Sequence, residues 1–344
     1  MTDTPGLDVA GLRAWLQRTH PDLRAGDLRA HVIAGGRSNL TYAVDGAAVP
    51  LIVRRPPLGH VLSSAHDMRR EHRVISALAA TPVPVPVAVD VVDDVETAEV
   101  TGTVFFVMER APGAVISRRA QNAEFTAAGL QRLGGDLARH LADLHAVDPA
   151  AVGLGDFGRP EGYLQRQLTT WRRQLDASRS RETPALDALQ DSLGAGIPSS
   201  GRTGIVHGDY RLDNALVTGH GDRPQVSAIL DWEMATLGDP FVDLGILWLY
   251  WTIGEVEGIG DAVPSAVDTA AGYPDFAGLV DAYAAHAGIR VPDLRWYRAF
   301  AAYKLAVILE GIHYRFRAGD TVGAGFDQMG ALVEPLARRG QEVH

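Results

Sequence analysis

The chain has 344 residues, of which 46% are hydrophobic and 22% charged, and its formal net charge is −10. The acidic balance argues against nucleic acid as a partner, because phosphate backbones select basic surfaces. The sequence contains no cysteine, which excludes disulfides, cysteine nucleophiles and zinc–thiolate sites.

Neither a signal segment nor a membrane span is indicated by the sequence. The amino-terminal residues lack a basic region followed by an apolar core. The longest apolar runs fall far below the roughly 18 residues that a transmembrane helix needs. We therefore expect a soluble, cytoplasmic protein with no membrane partner.

The first part of the chain is predicted to be mainly β. A helix is expected at residues 7–20, where four apolar side chains fall on one helical stripe. Short strand-like runs separated by Gly-rich turns follow, which is the pattern of antiparallel strands. These runs lie at residues 31–35, 41–44 and 50–55.

A second helix is predicted at residues 64–80. Met68, Glu71, Ile75 and Leu78 follow one another at three- and four-residue steps and therefore fall on one face, which is apolar apart from Glu71. More strands are expected within residues 83–92, where prolines favour an edge or an irregular path, and within residues 102–113.

Helical patterns dominate beyond residue 113. The predicted helices are 126–145, 163–177, 276–287 and 294–317. The sequence thus indicates an α+β protein with two lobes. We predict a β-rich first lobe at 1–107, a linker at 108–113 and a larger, mainly helical second lobe at 114–344.

One stretch carries the chemistry. Asp209 and Asn214 are five residues apart, the separation in the kinase motif H-R-D-x-x-x-x-N, and Asp231 follows an apolar, strand-like run. Asp209 would orient or accept the proton of an attacking hydroxyl. Asn214 and Asp231 would hold Mg²⁺ through oxygen atoms, the ligands that this cation prefers.

Each of these residues also has an ordinary interpretation. An isolated Asp-x4-Asn is usually a turn, and an Asp after a strand is often a helix cap. Their combination with an intervening turn and strand favours the functional interpretation. We expect His207 to brace the loop by hydrogen bonding. Arg211 can face phosphate or acceptor, or form a surface salt bridge.

The chain resembles the aminoglycoside phosphotransferase family, which has a bilobal protein-kinase-like fold. Within this family it is most similar to the branch related to domains fused to some acyl-CoA dehydrogenases. The resemblance covers about residues 30–320. The motifs that carry it are GGRSNLTY (Gly35–Tyr42), LIVRRPP (Leu51–Pro57), REHRVISAL (Arg70–Leu78), FVMER (Phe106–Arg110), DLHAVDP (Asp143–Pro149), VHGDYRLDN (Val206–Asn214) and ILDWEMATLGDPFVDLG (Ile229–Gly245).

The resemblance implies which residues hold ATP. In the family, a glycine-containing turn covers the phosphates, and the matching positions are Gly35, Gly36, Ser38 and Asn39. A strand cation that reaches the phosphates and pairs with a helix carboxylate corresponds to Arg54 with Glu71. Arginine stands here in place of the usual kinase lysine and keeps the positive charge. The hinge that contacts adenine corresponds to Met108, Glu109 and Arg110.

The resemblance also bears on the remaining motif residues. It implies that Asp239 and Asp243 brace the metal-binding segment. The acceptor site is expected on the helical lobe, where the candidates on one face of the last predicted helix are Glu310, His313, Tyr314 and Arg317. An acidic rim would suit cationic aminoglycosides, whereas arginines would suit an acyl-CoA phosphate or a carboxylate, and both remain open.

The expected activity is the ATP- and Mg²⁺-dependent phosphorylation of a hydroxyl group on a small molecule. The related dehydrogenase-fused domains favour a hydroxyacyl-type acceptor over an antibiotic. A nucleotide-binding pseudokinase is the alternative, motivated by the arginine at position 54. A protein kinase that acts on polypeptides is disfavoured, because the sequence after Asp231 has neither D-F-G nor A-P-E.

Overall fold

The structure is a computed structural model. It describes residues 4–23, 26–33, 39–58, 67–199, 201–259, 262–319 and 326–344. These residues divide into two compact units. The N-terminal unit comprises the described residues of Met1–Pro112 together with Ser227–Glu233, and the C-terminal unit comprises those of Gly113–Val226 and Met234–His344.

An antiparallel sheet dominates the N-terminal unit. Its strands, within the described residues, are β1 (Arg29–Val32), β2 (Leu40–Asp45), β3 (Leu51–Arg55), β4 (Ala88–Asp93) and β5 (Val104–Glu109). Their spatial order is β1-β2-β3-β5-β4, and every neighbouring pair is antiparallel. The predictions of antiparallel strands at 41–44 and 50–55 are confirmed. The first strand begins earlier than predicted, and residues 34 and 35 lie outside the described part of the chain.

Two helices accompany this sheet, and both begin at an aspartate that caps them. Asp8 accepts backbone N–H groups at the start of α1 (Val9–Thr19), and Asp67 does the same for α2 (Met68–Leu78). The apolar stripe of α1 is buried in the core together with side chains of the sheet, as its spacing predicts. The stripe of α2 is buried too, and it includes Glu71.

The C-terminal unit is mainly helical. Its α-helices, within the described residues, are α3 (Ala127–Ala146), α4 (Tyr163–Ser178), α5 (Pro184–Ala195), α6 (Phe241–Trp251), α7 (Phe276–Ala287), α8 (Arg295–Ala318) and α9 (Val333–Val343). The four helices predicted from the sequence correspond to α3, α4, α7 and α8 and agree to within a residue at each end. Helix α8 packs against α4, α5, α6 and α9 and forms the centre of the unit.

Short strands occur between the helices. They are β6 (Ala114–Val115), β7 (Gly204–Val206), β8 (Ala215–Thr218), β9 (Gln225–Ile229) and β10 (Thr236–Gly238). Two of them, β7 and β8, lie on either side of Asp209 and Asn214. Strand β7 pairs antiparallel with β10, and β6 pairs antiparallel with β8. Strand β9 begins in the C-terminal unit and ends in the N-terminal unit, so that the chain passes from one unit to the other just before Asp231.

The α+β fold class predicted from the sequence is confirmed, with an antiparallel sheet toward the amino terminus and helices toward the carboxyl terminus. Across the described residues, none of the helices is both long enough and apolar enough to traverse a lipid bilayer.

Candidate functional site

Arg54 and Glu71 form a buried ion pair in the N-terminal unit. Arg54 lies on β3, and its Nη1 donates to Oε1 of Glu71 on α2 at 2.6 Å. The side chain of Arg54 is 11% exposed and that of Glu71 is 1% exposed. Both side chains are buried because of where they lie: Arg54 is on a central strand, and Glu71 is on the apolar face of α2.

Two more carboxylates contact Arg54 from the segment after β9. Nη2 of Arg54 lies 3.3 Å from Oδ1 of Asp231 and 4.0 Å from Oε2 of Glu233. Asn39 donates from Nδ2 to Glu233 at 2.8 Å. Asp231 has a φ of +66°, a left-handed backbone conformation that is uncommon for a residue other than glycine. Such conformations persist where the surrounding structure holds them in place, and they occur often at functional sites.

The electrostatics of this cluster favour a cation. Burial acts to lower the pKa of Arg54, but the carboxylates of Glu71, Asp231 and Glu233 outweigh it and raise this pKa. Burial raises the pKa of Glu71 to about 7, against the opposing effect of Arg54. Since three carboxylates share one guanidinium, the ionised cluster carries excess negative charge.

The residues of this cluster fit a divalent cation and a phosphate. Carboxylate oxygens are the ligands that Mg²⁺ prefers, and this ion usually keeps several waters and phosphate oxygens as further ligands. Among the described residues, no group of three or more His, Cys, Asp or Glu side chains is arranged to hold a metal ion. Nε of Arg54 is buried without a hydrogen-bond partner in the described chain, and this donor suits an anionic oxygen.

The residues predicted to contact phosphate lie mostly outside the described part of the chain, whereas those predicted to contact adenine are described. Gly35, Gly36 and Ser38 lie outside the described residues. Met108 and Glu109 end β5. The amides of Glu109 and Arg110 donate to Val87 and Pro50 at 2.8 Å each. These two amide donors are thus already used by neighbouring strands of the unit.

In the C-terminal unit, Asp209 and Asn214 are joined by hydrogen bonds. We call residues His207–Asn214, which follow β7, the Asp209 loop. Asn214 donates from Nδ2 to both the backbone oxygen and Oδ2 of Asp209, each at 2.9 Å. Nε of Arg211 lies 3.5 Å from Oδ2 of Asp209 and 3.2 Å from Oδ1 of Asp213. The guanidinium of Arg211 also lies over the ring of Tyr250, 4.3 Å from its centroid.

Asp243 braces the Asp209 loop from α6. This carboxylate is fully buried and accepts the backbone N–H groups of His207 and Gly208 at 2.7 and 2.8 Å. Its Oδ2 lies 3.2 Å from Nε2 of His145. Burial acts to raise the pKa of Asp243, but the hydrogen bonds and the nearby histidines lower it below its ordinary value. His207 is itself buried and accepts the N–H of Asp209 at Nδ1, at 3.2 Å.

Asp239 has a comparable bracing position at the start of α6. It accepts the N–H of Phe241 at 3.1 Å and the hydroxyl of Tyr297 at 2.6 Å. Both aspartates of the LGDPFVDLG motif are therefore held by the protein's own donors.

The structure buries Glu310 in an ion pair. Its side chain is fully buried and forms a two-oxygen ion pair with Arg181, at 3.1 and 3.2 Å from Nε and 2.7 Å from Nη2. Arg181 also donates to the backbone oxygen of Gly330 at 2.5 Å. Glu310 was predicted to lie on one face of α8 with His313 and Tyr314. At Glu310 this face is buried, and its carboxylate is already paired with Arg181. Tyr314 is 41% exposed.

Lys304 is a residue of this region that the sequence did not predict. It lies within a buried run of α8, and its Nζ donates to the backbone oxygen of Gly208 at 2.8 Å. The only available signal was a lysine among apolar residues, in the segment Ala301–Val307. A contact almost a hundred residues away along the chain cannot be read from such a pattern.

Comparison with known proteins identifies the family. The model of the phosphotransferase enzyme family matches residues 29–300, which is more than half of the chain, and the protein therefore belongs to this family. The chain is 33% identical over 303 residues to acyl-CoA dehydrogenase family member 10 of Mus musculus. That match covers 88% of this chain but 28% of the relative, so the chain spans less than a third of its length.

Solved structures agree with this assignment. A protein of Ralstonia eutropha named "putative aminoglycoside phosphotransferase" is 34% identical, with a TM-score of 0.82 and 98% of both chains covered. An aminoglycoside phosphotransferase in ternary complex with AMP-PNP and hygromycin B has the same fold, at 15% identity and a TM-score of 0.63, with 97% of this chain and 99% of that chain covered. The resemblance to the phosphotransferase family, and to its acyl-CoA-dehydrogenase-related branch, is confirmed.

Proposed function

We propose that this phosphotransferase transfers the γ-phosphoryl group of ATP, with Mg²⁺, to a hydroxyl group of a small molecule. The observation that carries the proposal is the Arg54 cluster, in which a strand cation pairs with the helix carboxylate of Glu71 and contacts Asp231. Membership of the phosphotransferase family supports the same reading.

In this proposal, Asp209 positions the acceptor hydroxyl and takes its proton. The hydroxyl oxygen forms a bond to the γ-phosphorus while the bond to the bridging oxygen of ADP breaks. Asn214 donates to Oδ2 of Asp209 and so fixes the orientation of the carboxylate. A positioned base of this kind contributes about 10²–10⁴-fold to the rate.

Arg54 and the metal ligands bind the nucleotide phosphates. Glu71 holds the guanidinium of Arg54, and Asn214 and Asp231 are the proposed magnesium ligands. The side-chain nitrogen Nδ2 of Asn214 forms the hydrogen bonds to Asp209, and its side-chain oxygen Oδ1 is the proposed metal ligand. A magnesium ion held by these residues would offset the negative charge that develops on the phosphate oxygens. The ternary complex of the hygromycin-bound neighbour with AMP-PNP supports a nucleotide as the phosphoryl donor.

A hydroxyacyl-type molecule is the proposed acceptor class. The support is the similarity to a member of the acyl-CoA dehydrogenase family, of which this chain matches a part. An enzyme next to acyl-CoA chemistry would act on a hydroxyl of an acyl chain, and not on a sugar ring.

The test is a comparison of ATP consumption and product mass over a panel of hydroxyacyl thioesters, hydroxy acids and aminoglycosides. Wild type is compared with Asp209→Asn, which keeps the shape of the side chain but takes up no proton. Asp281→Asn, at an exposed position on α7, is the matched control. We expect turnover for wild type and the control and a loss of about 10²–10⁴-fold for Asp209→Asn.

Two outcomes contradict the proposal. Equal turnover by wild type and Asp209→Asn would show that Asp209 does not take the proton of the acceptor hydroxyl. Magnesium-dependent ATP binding by calorimetry, with no transfer to any acceptor of the panel, would favour a nucleotide-binding pseudokinase.

A further inference from the structure

Lys304 is a buried cation in the middle of α8, and its environment is mostly apolar. Only 9% of the residue is exposed. Its Nζ lies 5.5 Å from the centroid of the Trp171 ring and 3.9 Å from Sδ of Met234. Removing an ammonium group from water is unfavourable unless close partners compensate.

The second buried charge on this helix is compensated in a different way. Glu310 has Arg181 as a close partner, whereas no carboxylate within the described ranges forms a salt bridge with Lys304. The strong contact of Lys304 is its hydrogen bond to the Gly208 carbonyl. Burial lowers the pKa of Lys304, while the more distant carboxylates of Asp209 and Asp243 raise it.

The accepting carbonyl lies directly before Asp209. Gly208 has a φ of +85°, and a Cβ at this position would lie 2.8 Å from the backbone oxygen of Met234. Its N–H is held by Asp243, and its carbonyl is held by Lys304. Two helices, α6 and α8, thus fix opposite ends of one residue, and the peptide unit that follows it carries Asp209.

We propose that Lys304 is a positioning residue for the Asp209 loop: its ammonium group holds the Gly208 carbonyl and thereby sets the direction from which Asp209 meets the acceptor. The catalytic part of this inference rests on the proposed function, while the hold on the loop does not. A displacement of about 1 Å at a reacting group can cost about 10²-fold in rate. In this proposal, Lys304 affects catalysis through Gly208 and Asp209 and not through a contact with substrate or nucleotide.

The matched variants are Lys304→Met and Glu310→Gln. The first removes the ammonium group and keeps an unbranched apolar side chain, and the second alters the other buried charge of α8 without touching the Asp209 loop. Amide hydrogen exchange followed by mass spectrometry gives a readout that needs no acceptor. We expect Lys304→Met to speed exchange about tenfold or more in peptides covering residues 205–214, with little change in α3 and α7. We expect Glu310→Gln to leave exchange in residues 205–214 unchanged.

Turnover and nucleotide affinity complete the test. We expect Lys304→Met to lower kcat about 10²-fold and to change the Kd of Mg-ATP less than threefold. Unchanged exchange in residues 205–214 would overturn the inference, as would faster exchange spread evenly over the C-terminal unit. Wild-type protein without turnover on any acceptor would contradict the proposed function, and the exchange comparison would still decide whether Lys304 holds the loop.

Discussion

Replacement of Asp243 by alanine is predicted to destabilise the C-terminal unit strongly. The carboxylate is fully buried and satisfies the N–H groups of His207 and Gly208 and faces Nε2 of His145. Asp243→Ala leaves these three buried groups without their partner. A buried polar group without a partner costs about 1–3 kcal/mol, so we expect a loss of about 3–9 kcal/mol for the three groups. This is a large share of the roughly 5–15 kcal/mol by which proteins are stable.

The assay is urea unfolding at pH 7, followed by tryptophan fluorescence. Trp171, Trp248, Trp251 and Trp296 report on the C-terminal unit. Asp281→Ala, at an exposed position of α7, is the matched control and should lie within about 0.5 kcal/mol of wild type. A free energy of unfolding for the Asp243 variant within about 1 kcal/mol of wild type would refute the assignment of this carboxylate as the brace of the Asp209 loop.

Three further changes test interactions inside each of the two units. Asp94→Ala removes an acceptor of four backbone N–H groups and should cost about 3 kcal/mol at pH 7. Although burial acts to raise its pKa, these hydrogen bonds lower it. Its contribution is therefore present above the unfolded value of about 3.9 and lost as pH falls further, so urea titrations at pH 7 and pH 3 should show the difference between variant and wild type shrinking in acid. Gly208→Ala should cost about 1–2 kcal/mol or more in thermal unfolding, because of its left-handed φ and the approach of Met234, and an unchanged Tm would contradict this. Glu71→Ala leaves Arg54 with its more distant carboxylates and should cost about 3 kcal/mol in chemical unfolding, whereas a neutral result would show that Asp231 and Glu233 compensate fully.

Helices α3, α4 and α7 have the one-sided apolar pattern by which they were predicted, whereas α8 was predicted although it is buried on nearly all sides from Trp296 to Glu310. Helices α3, α4, α7 and α8 follow their predicted ranges closely, because hydrophobic spacing and chain length are local properties. Helix α6 was not predicted, since nearly all of its residues are buried and no polar face marks its period. Helices α5 and α9 were also missed, although both carry apolar stripes.

In the candidate site, too, local sequence patterns predicted some residues, and contacts between distant segments were missed. Spacing alone brings Asp209 and Asn214 into one loop, and the apolar stripe of α2 singles out Glu71. The partner of a buried charge depends on contacts between distant segments, and no local pattern encodes them. Lys304 with Gly208, and Glu310 with Arg181, are both of this kind, which is why one was overlooked and the other was assigned to the acceptor face.

The composition of the N-terminal unit has a consequence for how the chain is made. Ser227–Glu233 belongs to this unit, where the N–H of Ile229 donates to the oxygen of Pro84 at 2.8 Å and Asp231 contacts Arg54. A nascent chain on the ribosome therefore completes its first unit only after Gly113–Val226 of the second has been synthesised, and it must close a long loop to do so. A fragment that stops at Pro112 would contain Arg54 and Glu71 but not the carboxylates of Asp231 and Glu233. The two units are separate bodies of contacts, yet the first cannot be produced intact as one contiguous piece of polypeptide.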